Sequence, residues 1–204
     1  MTAKRLLLEG RDDKHVVQKL LYHHNLHEGF DDFKDKEGIE KLLATLAEEI
    51  EATDVERLGI VIDADVDLSK QWARLTRILI RCGFKDLPST PDPNGTIIVS
   101  EDGKRIGIWI MPNNVLKGAL EDFVAELITD GDVLWPRAQN NVNDIPPPDR
   151  RFKPAHLSKA HIHTWLAWQE EPGTKMGEAF TKRYLDPLLP QGQAFINWIR
   201  RLLA

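Results

Sequence analysis

Apolar residues recur along this chain in two rhythms: short continuous runs, and longer stretches spaced at three and four. The runs at residues 5–8 and 58–62 are β-rich and closed by breakers, which predicts strands buried on both faces. Two further runs, 96–100 and 105–111, flank the turn Glu101-Asp102-Gly103-Lys104 and predict a hairpin. Residues 29–35, around Phe30 and Phe33, give a weaker signal for a short edge strand because they are so charged. Helical spacing marks Val16, Val17, Leu20, Leu21 and His24, with Asp12 or Asp13 as the expected cap. It marks Ile39 to Ile50, Trp72 to Cys82, and a stretch opening near Gly118 with Leu120, Phe123, Val124 and Leu127 inward. Residues 87–95 read as loop, and 131–155 as an Asn/Asp/Pro-rich connecting loop stiffened by Pro146-Pro147-Pro148. Helices are expected at 156–168, around 180–185 and at 195–203. The pattern predicts an α/β domain over residues 1–130, with four or five mostly parallel strands flanked by helices. Residues 156–204 form a C-terminal helical annex packed on the same domain.

Composition narrows the class. Of 204 residues, 42% are hydrophobic and 29% charged, as in ordinary globular chains. The longest uncharged apolar stretch, 106–116, is too short to span a bilayer, so no membrane association is expected. The opening MTAKRLLLEG has no apolar signal region, and the lone Cys82 excludes an internal disulfide framework and a cysteine zinc cluster. A cytoplasmic protein is the expectation. The net charge of −5 argues against coating nucleic acid by bulk electrostatics. The charge is uneven: 17 Lys and Arg stand against 26 Asp and Glu in residues 1–136, and 10 against 6 in 137–204. That asymmetry points to a cation site in the first part and a polyanion contact in the second; uneven surface charge is the plainer alternative.

The candidate chemistry is carboxylate chemistry. Asp63, Asp65 and Asp67 directly follow the strand at 58–62, where ligands of open α/β sheets gather. On an extended backbone they would point one way, and three ionised carboxylates so close repel one another unless a hard divalent cation lies between them. Asp67 also fits as the cap of the helix that follows. Glu9 closes the first strand in the same way, and Gly10 after it allows a sharp turn. Asp13 would face back over Glu9 from one turn into the helix, while Asp12 suits the positive end of a helix dipole. Glu121, early in the helix after the strand at 105–111, is a further candidate ligand.

A strand ending in Glu-Gly, a helix, and a strand ending in Asp-x-Asp together resemble the Toprim domain of topoisomerases, primases and OLD-family nucleases. LLLEGRDDKHVV resembles its first motif and VIDADVD its second. MPNNVLKGALEDFV and KAHIHTWLAWQEEPGTKMGEAF resemble a bacterial Toprim-like family of unknown function. The resemblance implies a Toprim-like, Rossmann-like fold with Glu9 in acid/base or metal-binding work and Asp63 and Asp65 on Mg²⁺ (or Mn²⁺). Asp13 matches an acidic position of the OLD nucleases.

The departures shape the expectation. No Walker A motif occurs, Tyr22 and Tyr184 are poor nucleophiles for topoisomerase chemistry, and no Gly-x-Ser-x-Gly elbow supports a serine hydrolase. His23 and His27 have the spacing of a zinc pair but no third ligand. Trp165, Trp168 and Trp198 suit packing better than base stacking. The leading expectation is an Mg²⁺-dependent phosphoryl-transfer domain, a nuclease-like phosphodiesterase acting on DNA or RNA. In it Glu9, Asp13, Asp63, Asp65 and Glu121 hold metal, with Glu9 and Lys159 catalytic. Arg11, Arg150, Arg151 and Lys153 would contact substrate phosphate. The alternative is a catalytically silent or partner-dependent Toprim-like module served by a separately encoded ATPase, as in a defence system. A small-molecule phosphohydrolase is a third. Nucleic acid, that ATPase and a second copy of the chain, as a homodimer, are the partners these readings admit.

Overall fold

The computed structural model describes residues 2–204. Strands β1 (Ala3–Leu8), β2 (Asp32–Asp35), β3 (Val55–Asp63), β4 (Thr96–Val99) and β5 (Arg105–Met111) form one sheet of five in the order β2-β1-β3-β5-β4. All neighbours run parallel except the β4–β5 hairpin. The fold is α/β and Rossmann-like. Helices α1 (Arg11–His23), α2 (Ile39–Glu51), α3 (Leu68–Arg81) and α4 (Leu120–Ala125) alternate with the strands. They are followed by α5 (Leu134–Asn143), α6 (Leu157–Ala167), α7 (Met176–Thr181) and α8 (Pro190–Leu203).

Both faces of the sheet are covered, which is why its strands read as continuous apolar runs. Leu7, Ile60, Ile62, Ile108 and Ile110 pack beneath α2 and α3. On the other face Leu6, Leu8, Val61, Trp109 and Met111 join one cluster with α1, α4, α6, α7 and α8. Helix α8 lies directly on the sheet. Gly59 and Gly107, register partners on β3 and β5, leave it room: a Cβ on Gly107 would stand 3.0 Å from Leu202 and 3.1 Å from Trp198.

Strand β2 explains its own charge. Glu49 of α2 sits buried between Arg5 at 2.7 Å, Lys34 at 2.9 Å and Lys36 at 2.7 Å. Polar residues thus tie the edge strand to its helix, where the sequence rhythm gave only a weak signal. Three expectations are corrected. The helix expected around 180–185 is α7 at Met176–Thr181 and ends before Tyr184 and Leu185. Helix α1 begins at Arg11 with Gly10 as its cap, so neither Asp12 nor Asp13 caps it. The segment 131–155 is not a continuous loop, because α5 lies inside it. The Asp132 carboxylate accepts from the Leu134 and Trp135 amides, both at 2.8 Å, and starts that helix. Among the described residues no helix is long and apolar enough to cross a membrane.

Candidate functional site

The order β2-β1-β3 places a topological switch between β1 and β3. The chain leaves β1 toward one edge of the sheet and β3 toward the other, opening a crevice at their carboxyl ends. Glu9 follows β1 and Asp63 ends β3, and the two meet there: Glu9 Oε2 accepts from the Asp63 amide at 3.1 Å. Gly10 then lets α1 begin at once, and Asp13 folds back so closely that a Cβ on Gly10 would lie 3.2 Å from its Oδ2. Asp13 is buried, and its Oδ1 has no hydrogen-bond partner.

The third wall comes from beyond β5. Asp65 and Gly118 exchange backbone hydrogen bonds of 2.8 and 2.9 Å, which fastens the turn after β3 to the turn before α4. Asp63 Oδ1 accepts from the Leu120 amide at 3.0 Å, and buried Glu121 follows in the same turn. Lys159 of α6 reaches Glu121 at 3.4 Å. A groove of about 1000 Å³ runs on from Glu121 past Asp122, Glu126, Asp132, Trp135 and His161.

Electrostatics show what the convergence costs. Burial first, then the Glu9 and Glu121 carboxylates, push Asp13 up to about 7. Burial, then Asp13, Glu9, Glu121 and Asp65, raise Asp63 well above the ordinary aspartate range. Burial, then Asp65, raises Glu9 against the hydrogen bond from the Asp63 amide. Each proton held offsets repulsion that a cation would otherwise remove. Only hard oxygen donors face one another here, with an unpartnered buried carboxylate oxygen among them, which suits Mg²⁺ or Mn²⁺ chemically. As the side chains stand, no three His, Cys, Asp or Glu of the described residues form a ready metal cage.

Several expected residues fall elsewhere. Asp65 is in a left-handed conformation, φ 53°, so the Asp-x-Asp segment turns and is not extended as expected. Its Oδ2 accepts instead from Gln71 Nε2 at 3.1 Å. Asp67 caps α3 through the Lys70 amide at 3.0 Å. Arg11 is exposed in the first turn of α1. Arg150 donates to the Asn143 and Ile145 carbonyls at the end of α5, and Arg151 and Lys153 are exposed between α5 and α6. Sequence reasoning passed over Gln71, and of the early-helix pair Glu121-Asp122 it kept only Glu121 as a candidate and left the other acid to the surface. Gln71 is a polar residue on the buried stripe of α3, a signal that was available. Asp122 accepts from the Ala119 amide at 2.8 Å, a local cap of α4, and from the Ser158 hydroxyl at 2.6 Å, which braces α4 against α6 and which nothing local announces.

Fold and site together define an α/β protein with a carboxylate cluster at the switch point of its sheet. The chain belongs to the family described as Protein of unknown function (DUF3226), whose model matches residues 3–204. No curated protein and no solved structure matches it.

Proposed function

We propose that this protein is a metal-dependent phosphoryl-transfer domain, a nuclease-like phosphodiesterase acting on DNA or RNA. The observation that carries the reading is the meeting of Glu9, Asp13 and Asp63 in the β1–β3 crevice, with Asp13 Oδ1 buried and unpartnered. Glu9, Asp13 and Asp63 would hold Mg²⁺ or Mn²⁺, with Asp65 and Glu121 at the margins. The bound ion would supply charge neutralisation at the phosphate and an acidified water. The protein's own contribution is positional. The Asp63 and Leu120 amides fix one oxygen each of Glu9 and Asp63, and Gln71 fixes Asp65. Lys159 can exchange Glu121 for a substrate phosphate oxygen. The adjoining groove is itself acidic, so a phosphate approaches only after these charges are met. The Toprim resemblance of the two acidic motifs and a cytoplasmic location both accord with this reading.

The test is cleavage of labelled single-stranded DNA and RNA with Mg²⁺ or Mn²⁺. Asp63→Asn is expected to lower the rate by more than about 100-fold, and chelator to abolish it. Cleavage indifferent to both overturns the proposal. A second reading, a partner-dependent module, is favoured by the missing preformed cage. It predicts Mn²⁺ binding by calorimetry without cleavage until a partner ATPase is added.

A further inference from the structure

At the opposite, amino-terminal edge of the sheet lies a row of cations that the proposed chemistry does not use. Lys4 of β1 is the register partner of Arg57 of β3, and Arg57 that of Arg105 of β5. Register partners in parallel strands project from the same face, about 4.8 Å apart. That face is the one covered by α8, since the next positions outward, Gly59 and Gly107, lie under Leu202. The row therefore emerges just past the last turn of α8, beside the Arg201 carbonyl.

What singles the row out is the absence of compensating charge. On the other face, Arg5, Lys34 and Lys36 all converge on Glu49. Among the described residues, none of Lys4, Arg57, Arg105 and Arg201 is within 4.0 Å of a carboxylate. The Nε atoms of Arg57 and Arg105 are buried and unpartnered. Arg57 makes one local hydrogen bond, to the Glu56 carbonyl at 3.3 Å. Arg201 turns away from the row, its guanidinium held by the Asn94 and Gly95 carbonyls at the start of β4. Asp31 lies alongside, but its carboxylate accepts from the Lys4 backbone amide at 2.8 Å.

A structural role for the row is to cap α8, and Arg105 does so by donating to the Arg201 carbonyl at 2.9 Å. A helix terminus carries about half a negative charge, however, against three full positive ones. Two arginine forks side by side match the geometry of a tetrahedral oxyanion, which can accept from both. We propose that Lys4, Arg57 and Arg105 form a phosphate-binding site on the sheet's amino edge, distinct from the carboxylate cluster. The sources of that phosphate are a free phosphate group or a nucleic-acid backbone.

The experiment measures binding in EDTA, so that no divalent cation helps the carboxylate cluster and the outcome is independent of cleavage. The probes are inorganic phosphate, by calorimetry, and a labelled single-stranded oligonucleotide, by anisotropy across a salt series. In Arg57→Gln/Arg105→Gln, oligonucleotide affinity is expected to fall at least about 10-fold. The salt slope should fall by about 1.4, about 0.7 for each phosphate of the single strand that the variant no longer neutralises. Loss of oligonucleotide binding alone assigns the site to a backbone, and loss of phosphate binding to a free or terminal phosphate group. Arg57→Gln alone, which removes no tertiary hydrogen bond, serves if the double variant fails to fold, and Arg57→Lys is expected to restore part of the binding. Wild-type protein that binds neither probe, or a folded variant that binds both unchanged, overturns the proposal.

Discussion

Asp13 titrates near 7 because burial, then Glu9 and Glu121, oppose its charge. An unfolded chain releases that proton near the ordinary aspartate value, so between about 4 and 7 the folded state binds more protons and loses stability as pH rises. Glu49 acts in the opposite sense. Burial would raise it, but Lys36, Lys34 and Arg5 hold it at about 2, and the stability it contributes is lost as pH falls from about 4.5 toward 2. Metal-free protein should thus be most stable in mild acid. Asp13→Asn is expected to flatten the decline between pH 4 and 7 and to exceed the wild type in stability at pH 8, by urea unfolding in EDTA. An unchanged pH slope would mean that Asp13 does not carry the buried charge. Glu9 and Asp63 were legible because each closes an apolar run. Asp65 was legible in type but not in pose, since nothing in Asp-x-Asp declares its left-handed turn.

Secondary elements followed the apolar rhythm wherever packing alone creates them. Strands β1, β3 and β5 and helices α2 and α3 are buried on the faces that the periodicity indicates. Misreadings occurred where polar groups decide. Helix α5 is written in Asn, Gln and Arg; it is started by the Asp132 carboxylate, which also accepts from Trp165 Nε1 of α6 at 3.2 Å. Strand β2 depends on Glu49, thirteen or more residues from the cations it joins. The seating of α8 gives an element-level prediction. Gly107→Ala would set a methyl 3.0 Å from Leu202 and 3.1 Å from Trp198, and should destabilise the protein by about 1–3 kcal/mol. Equilibrium denaturation measures it, and an unchanged midpoint would show that α8 is not held at that distance.

At the scale of the molecule, one hydrophobic cluster joins β1, α1 and α4 to α6, α7 and α8, so the C-terminal helices are part of the same core as the sheet. Unfolding should accordingly be a single transition, with circular dichroism and tryptophan fluorescence coinciding. Two separated transitions would mark residues 156–204 as an independent unit. The sequence by itself determined strands β1, β3 and β5 and helices α2 and α3, their inward faces, and that Glu9 and Asp63 stand at strand ends. Those are properties of neighbouring residues, expressed by burial and backbone preference. Only the tertiary structure decided that β1 and β3 are adjacent, that Gln71 and Lys159 reach the carboxylates, and that Lys4, Arg57 and Arg105 share one row. Charges separated by about fifty residues in the chain come within a few ångströms only through strand register, which no local pattern encodes.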